Sequence, residues 1–174
     1  SENALKILKE RYLLKNAAGI TRETPEKLFW RVAQSVAQAE KKYGGQEAVK
    51  HWEPLFFEMM SNLEFLPNST TLMNAGTGYG QLSSCFVLPV KDSLSGIFQT
   101  LRTSALVQQK GGGTGFNFSA LRPSGDQISH GGGQSSGPVS FIKIFDFAAE
   151  HIRQGGRRRG ANMGVLNVDH PDIF

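Results

Sequence analysis

Cysteine is nearly absent from this sequence. Cys85 is the single one among 174 residues, which excludes an intrachain disulfide and a thiolate metal site built from this chain alone. No apolar run approaches the roughly 20 residues of a membrane-spanning helix, and the charged N-terminus lacks the apolar stretch of a secretory signal. We therefore expect a cytoplasmic protein, in which any redox work by Cys85 needs a second thiol from elsewhere.

The sequence also lacks the residue arrangements that hydrolases use. Neither paired carboxylates nor a pattern of Ser, His and Asp is evident, and we expect Asp126, Asp146 and Glu150 to face solvent. His130 lies in a glycine-rich loop and is only weakly indicative of function. Glycine is plentiful, with 20 residues in a chain that is 39% hydrophobic and 20% charged. This composition is typical of a globular protein with glycine-rich loops.

Basic residues outnumber acidic ones by 19 to 15, and much of the excess is clustered. Arg153 and the run Arg157–Arg159 follow a predicted helix, where arginines also complement the negative end of the helix dipole. Four arginines exceed what that role needs, and guanidinium groups match phosphate geometry. We favour a site for an anionic ligand here, since a general nucleic-acid surface would spread its basic residues along a face.

The first 64 residues have the apolar spacing of helices. A serine or threonine before proline is typical of a helix start, and paired glycines are typical of a helix end. The pattern predicts helices over 4–14, from Pro25 with Thr24 as its N-cap to Gly44, and from Gln46 with an interruption or restart at Pro54.

The pattern changes at Phe65. Turn-forming residues predict an irregular segment over 65–81, and strands and helices then alternate. Strands are predicted at 82–88, 114–118 and 161–166, and helices at 93–109, at 138–154 and from Asp169 onward. We expect Leu94, Ile97, Leu101 and Ala105 to face inward from the helix that Ser93 caps.

Such crossovers imply parallel strands buried on both faces, and three strands are too few to complete that architecture. The fold class is therefore α/β, with a helical region over residues 1–64 and, over 65–174, the first part of a larger α/β domain such as a barrel.

A glycine-rich stretch, KGGGTGFNFS from Lys110 to Ser119, is the most unusual feature. Consecutive glycines permit positive φ and let a ligand lie directly on the main chain. Here the glycines follow a helix and precede a strand, whereas dinucleotide-binding loops have the order strand, glycines, helix. The sequence therefore argues against a standard dinucleotide site.

Three further residues each have two readings. Cys85 is either a buried small hydrophobe or a redox thiol in a cleft. Asp92 is either a helix-entry residue or a ligand for a ribose. Arg122 begins a loop, 121–137, about three times longer than such connections need, which is typical of a binding loop, and it could pair with a phosphate.

Four motifs in order carry a resemblance to a known family: PNSTTLMNAGT, QLSSCFVLPVKDSL, KGGGTGFNFSALRPSGDQISHGGGQSSGPVSF and IRQGGRRRGANMGVLNVDHPDIF. Together they closely resemble the large catalytic component of ribonucleotide reductases, and the adenosylcobalamin-dependent class II enzymes most of all. The resemblance covers essentially the whole chain. It implies a ten-stranded α/β barrel, of which this chain holds the helical prelude and the first strands.

The resemblance also implies a reaction and residue roles. A cysteine radical, made with adenosylcobalamin, would abstract the substrate's 3′ hydrogen, and Cys85 would be one of two thiols that then reduce the ribonucleotide to a 2′-deoxyribonucleotide. A deoxynucleoside triphosphate effector would bind near a homodimer contact built by helices 93–109 and 138–153. Implied substrate contacts are Ser69 or Thr70, Ser84, Gly112, Gly113 and Arg158; implied effector contacts are Asp92, Ser93, Leu94, Arg122, Ile128 and Gln154.

Some family features have no counterpart in this sequence. The radical cysteine, the second reducing cysteine and the cobalamin contacts belong to later parts of the family's chain, and the ATP-binding cone of some members is missing before Ser1. We therefore expect an N-terminal piece that is inactive alone and that works with the C-terminal remainder and a thioredoxin-like reductant.

Three alternatives stay open. The chain could belong to a class I large subunit, whose radical comes from a metal-containing partner. It could be a non-catalytic nucleotide-binding regulatory module, which predicts that dNTP binding persists without reductase segments downstream. A basic RNA-binding domain, the third alternative, predicts steep salt dependence and indifference to dNTPs.

Overall fold

The computed structural model describes residues 1–128, 132–154 and 158–174, without the side chains of residues 153, 154, 158 and 159. His130 and Arg157 lie outside the described residues. The chain divides into two compact units, Ser1–Ser84 and Cys85–Phe174. No helix among the described residues is both long and apolar enough to cross a membrane.

The first unit is helical, as predicted. Its helices are α1 (Glu2–Ile7), a π-helical turn (Leu8–Tyr12), α2 (Pro25–Ala37), a 3-10 turn (Gln38–Glu40), α3 (Lys41–Ser61) and α4 (Ser69–Asn74). The Thr24 hydroxyl caps α2 by accepting from the Lys27 N–H at 3.2 Å. The core lies between α2, α3 and α4 and contains Leu13, Leu28, Val32, Ala33, Met60, Leu72 and Ala75.

Two expectations for this unit are wrong. Helix α3 continues through Pro54, and its non-helical backbone angles fall at Gly44 and Gly45 instead. Packing on both sides of the proline, with Val49 and Met60 buried, holds that helix straight enough to continue. The segment predicted as irregular contains α4, because the Asn68 side chain caps it by accepting from the Thr71 N–H at 3.0 Å.

Residues 65–84 pack with the helical unit, although the sequence places the domain boundary at residue 64. The reason lies in α4, whose Leu72 and the following Ala75 are buried in the helical core. The boundary in the structure therefore falls directly before Cys85.

The second unit contains the predicted parallel sheet. Strand β1 (Cys85–Pro89) pairs with β2 (Gly113–Asn117), which pairs with β5 (Asn162–Val165), and both pairings are parallel. The sheet is open, with β2 in the middle. The expectation that its strands are buried on both faces is wrong, since the edge strand β5 is exposed along its whole length and β1 is exposed at alternate residues. Helices α5 (Leu94–Gln109) and α6 (Gly137–His151) supply the crossovers, and a 3-10 turn (Pro171–Ile173) follows.

A short antiparallel pair interrupts the parallel pattern, and the helix predicted to reach Gln154 ends at His151 instead. Strand β3 (Arg153–Gln154) pairs with β4 (Arg158–Arg159). We call these two paired strands, with the flanking residues Ile152 and Gly160, the arginine arm. Its backbone carries most of the predicted anion-binding residues.

The apolar core of the second unit is aromatic. Phe116, Phe118 and Phe145 contact one another with ring centroids 4.7 to 5.7 Å apart, and each is almost fully buried. Val90, Ile97 and Leu121 complete this cluster. Of the residues predicted to face inward from α5, Ile97 is buried, whereas Leu94 is 65% exposed because it opens the first turn beside a cavity.

A buried ion pair ties the first unit together. The Nε of Arg31 donates to Glu23 at 2.7 Å, with side-chain exposures of 12% and 6%. The same guanidinium also donates to the carbonyl oxygens of Leu72 and Ala75, at the end of α4. Glu23 in turn accepts from the Leu14 N–H at 3.0 Å.

We predict that Arg31→Met destabilises the helical unit by about 3–5 kcal/mol, because it leaves the Glu23 carboxylate buried without its partner. Urea unfolding of the chain measures this loss. The matched control is Lys50→Met, which removes an exposed partner of Glu47 and should cost less than about 1 kcal/mol. Equal losses for the two variants would contradict the structural role of the buried pair.

Candidate functional site

A cavity of about 350 Å³ opens at the carboxyl end of the parallel sheet. Its walls come from the first turn of α5, the loop after β2 and the first half of α6. Five of the six residues predicted to bind an effector line this cavity. The full lining is Asp92, Ser93, Leu94, Ile97, Arg122, Ile128, Gln134, Ser135, Ser136 and Phe141.

Asp92 and Arg122 form an ion pair within the cavity. The Arg122 Nε donates to one Asp92 carboxylate oxygen at 2.9 Å, and the Arg122 main-chain N–H donates to the other at 3.3 Å. Both side chains are about one-third exposed, so a ligand can reach them. Ser93, rather than Asp92, caps α5, since its hydroxyl accepts from the Gly96 N–H at 3.1 Å.

The loop that carries Arg122 and Ile128 folds back on itself. Main-chain bonds join Ile128 N–H to the Gly133 oxygen and Ser135 N–H to the Asp126 oxygen, at 2.9 and 2.8 Å. The loop is therefore a hairpin over its described residues, and this geometry places Ile128 and Gln134 on the cavity wall.

The end of the chain holds the base of this loop. Asp172 accepts from the Ser124 N–H at 2.8 Å, and the buried His170 bonds through Nε2 to the Leu121 carbonyl oxygen at 2.9 Å. Gly137, at φ +74°, lies so close to Asp172 and Ser124 that a Cβ would not fit there. Sequence reasoning missed His170 and Asp172 as supports of the cavity, because their partners lie 48 and 49 residues away.

The opposite, amino-terminal edge of the sheet holds the candidate redox residue. Cys85 is exposed and is the pairing partner of Gly113 in the β1–β2 register. Of the three consecutive glycines only Gly111 has positive φ, at 92°, whereas Gly113 is a regular strand residue. Strand pairing thus brings together two residues that the resemblance assigns to substrate chemistry.

A second polar cluster lies in the helical unit, at the start of α4. The Ser84 hydroxyl donates to the Asn68 side-chain oxygen at 2.8 Å and lies 2.8 Å from the Thr70 hydroxyl. Thr70 is 1% exposed, whereas Ser69 is only partly buried. Asn68 is a further residue that sequence reasoning missed, although an asparagine before Ser-Thr-Thr is a helix-cap signal.

Some predictions cannot be placed. The side chains of Gln154 and Arg158 lie outside the described part of the chain. Within that part, no group of three or more His, Cys, Asp and Glu residues is arranged to hold a metal ion.

Two family models match this sequence. The all-alpha domain of ribonucleotide reductase matches residues 1–80, and the barrel domain of ribonucleotide reductase matches residues 83–174. The gap between the two matches, residues 81 and 82, lies two residues before the division between the two compact units at Ser84 and Cys85.

Curated relatives agree with these matches. The chain is 51% identical to a vitamin B12-dependent ribonucleoside-diphosphate reductase of Mycobacterium tuberculosis, over 98% of this chain and 24% of the relative. It is 44% identical to the protein of the same name from Thermoplasma acidophilum, over 99% of this chain and 29% of the relative. A ribonucleoside-diphosphate reductase subunit alpha of Helicobacter pylori is 35% identical, over 98% and 21%.

The chain spans about a quarter of the length of these curated relatives. With both matched domains in order, and with the predicted helical region followed by an open parallel sheet, the chain belongs to the ribonucleotide reductase large-subunit family.

Proposed function

We propose that this chain is the part of a class II ribonucleotide reductase that binds a dNTP specificity effector and supplies one reducing thiol. The observation that carries the proposal is the cavity at the carboxyl end of the sheet. Residues far apart in sequence, including Asp92, Arg122 and Ile128, converge there on one space of about 350 Å³. That volume lies within the range of small-molecule sites.

The chemistry of the cavity suits a nucleotide. The Asp92 carboxylate has about four lone-pair positions and uses two of them on Arg122, so it can still accept from the hydroxyl of a ribose. Arg122 pairs with Asp92 through its Nε. The two terminal nitrogens of a guanidinium group can donate side by side to the oxygens of a phosphate. Leu94, Ile128 and Phe141 give the base an apolar wall.

Cys85 is proposed to deliver reducing equivalents to the ribonucleotide substrate. Two thiols lose two electrons and two protons and form one disulfide, while the substrate loses its 2′ hydroxyl as water and gains hydrogen at that carbon. The second thiol comes from outside this chain, which has no other cysteine. Exposure of Cys85 and the neighbouring main chain of Gly113 support a substrate at this edge. Gly112, Ser84, Arg158 and Ser69, the more accessible of the Ser69 and Thr70 pair, complete the proposed contacts.

Cobalamin use is proposed from the names of the relatives, and the described residues do not form a corrin site. The cavity beside Asp92 is of mononucleotide size, and a groove of about 450 Å³ along α5 is lined by Lys91, Ser95, Gln99 and other polar residues. We therefore assign adenosylcobalamin to other parts of the reductase.

A class I large subunit is the alternative, since proteins named subunit alpha also match this chain over almost its whole length. The discriminating measurement is the cobalamin requirement of the full-length enzyme. We further propose a cytoplasmic enzyme that a thioredoxin-like protein reduces.

A homodimer is proposed from the exposed apolar residues of α5 and α6. Phe98 is 50% exposed and Phe147 is 66% exposed, although both are large hydrophobic side chains on helices. Because both helices also line the effector cavity, association of two copies would stabilise the site where the effector binds.

For the effector site, we predict that Asp92→Ala weakens dNTP binding by roughly ten- to a hundredfold, the loss expected for hydrogen bonds to a charged group. Isothermal titration of the full-length protein measures the dissociation constant. The matched control is Asp126→Ala, which removes the same charge from an exposed position of the neighbouring loop and should leave binding unchanged. Unaltered binding in Asp92→Ala would refute the assignment of the cavity.

For the redox residue, we predict that Cys85→Ser in the full-length enzyme abolishes sustained turnover with a thiol reductant, because a serine cannot form the disulfide. dNTP binding should stay within about twofold of wild type, since Cys85 lies at the opposite edge of the sheet from the cavity. Product formation over many turnovers is the measurement, and normal sustained turnover would exclude this role.

For the dimer, we predict that Phe98→Asp combined with Phe147→Asp shifts the full-length protein toward monomer in analytical ultracentrifugation. The two carboxylates would be buried without partners in an apolar contact. Tyr79→Asp is the control, since Tyr79 is similarly exposed, at 58%, but belongs to the first unit. An unchanged sedimentation coefficient in the double variant would place the contact elsewhere.

A further inference from the structure

A buried polar network lies at the end of α5 that is remote from the effector cavity. It joins three buried residues, Ser104 and Gln108 of α5 and Thr114 of β2, to Asn162 of β5, which is exposed. Gln108 is 3% exposed, Ser104 2% and Thr114 4%. Among the described residues of this unit it is a polar cluster within an otherwise aromatic and aliphatic interior.

Gln108 is the centre of the network. Its side-chain nitrogen lies 2.6 Å from the Asn162 side-chain oxygen, 3.0 Å from the Thr114 hydroxyl and 3.2 Å from the Ser104 hydroxyl. The Thr114 hydroxyl also donates to Asn162, at 2.8 Å. The amide has two protons for these three acceptors, so one proton is shared, and the three oxygens together direct the nitrogen of Gln108 toward them.

Gln108 also contacts the glycine stretch and the arginine arm, the two segments that the proposed function places at the substrate. Its main-chain carbonyl oxygen accepts from the Gly111 N–H at 2.9 Å, at the start of the glycine stretch. Its side-chain oxygen would lie 2.7 Å from a Cβ on Gly160, the residue that closes the arginine arm. Gln108 therefore bridges the glycines before β2 and the base of the arm.

Helix α6 reaches the same point. Asn162 donates to the Phe145 carbonyl oxygen at 3.0 Å, and Gly160 donates to the Ile152 carbonyl oxygen at 3.2 Å. Both helices touch the effector cavity at their other ends, through Leu94 and Phe141. Along α5, 16 residues at 1.5 Å each separate the two ends by about 24 Å.

We propose that Gln108 is a positioning residue that transmits the state of the effector cavity to the substrate edge and so sets which ribonucleotide is reduced. The inference rests on the proposed function. A shift of α5 or α6 on effector binding moves the Gln108 amide or its acceptor on Asn162. Because the Gln108 side chain lies against Gly160 and the Gln108 carbonyl oxygen accepts from Gly111, such a shift displaces the contacts at the base of the arginine arm and at the start of the glycine stretch together.

The test uses Gln108→Met in the full-length reductase, which keeps the length and volume of the side chain but removes the amide. Relative reduction rates of competing ribonucleotides are measured with each dNTP in turn. We expect the effector-dependent preference to fall at least tenfold toward indifference, while the dissociation constant of the dNTP stays within twofold. A purely structural residue would instead lower all rates in parallel and leave the preference intact.

Two further variants distinguish a loss of substrate preference from a general loss of folding. Gln109→Met is the control, since Gln109 is the exposed neighbour on the same helix end and should keep the wild-type preference. Gly160→Ala keeps every polar group of the network but puts a methyl group 2.7 Å from the Gln108 side-chain oxygen and 3.0 Å from the Ala149 carbonyl oxygen, so that the Gln108 amide must shift. It should lose preference as Gln108→Met does.

The outcomes separate this inference from the function on which it rests. If the wild-type protein binds no dNTP, the proposed function fails. If the wild type binds and discriminates, and Gln108→Met or Gly160→Ala discriminates as well as Gln109→Met does, the positioning role of Gln108 is overturned and the effector site stands.

Discussion

The parallel pairing of β2 with both of its neighbours is the constraint on which the second unit depends. Parallel register fixes Cys85 beside Gly113 and Thr114 beside Asn162, all at the amino-terminal edge. The residues that follow the strands, Asp92 and Arg122, consequently meet at the carboxyl edge. One sheet thus separates the end that holds Cys85 from the end that holds the cavity, and helices α5 and α6 run alongside it between the two.

The helical unit has a different organising contact, the buried pair of Arg31 with Glu23. A buried ion pair is weak evidence for stability in itself, because desolvation offsets much of the attraction. Arg31 also donates to two carbonyl oxygens at the end of α4, where a short helix has unsatisfied acceptors. Its main consequence is therefore positional: it fixes the short helix that carries Ser69 and Thr70.

Local signals were readable from the sequence, and long-range partners were not. Thr24 before Pro25 and Ser93 before an apolar period predict helix starts that the structure has. The parallel pairing of the strands followed from the helical crossovers between them, because parallel neighbours need such connections. The family resemblance supplied Asp92 and Arg122, but their pairing spans 30 residues. The helix interruption predicted at Pro54 was wrong. A proline breaks an isolated helix, whereas in α3 the buried Val49 and Met60 on either side of it favour a continuous helix.

The interior of the second unit has an aromatic end, which contributes mainly to stability, and a polar end, which determines the register of the strands. Phe116, Phe118 and Phe145 fill one end, where burial of aromatic area is favourable in many arrangements. Ser104, Gln108 and Thr114 fill the other and hydrogen-bond to the exposed Asn162, which the register of β2 and β5 places beside them. A slip of β2 by one residue would turn Thr114 to the opposite face and leave buried polar groups unpaired. The polar end therefore fixes the register, and the register in turn places Gly113 against Cys85.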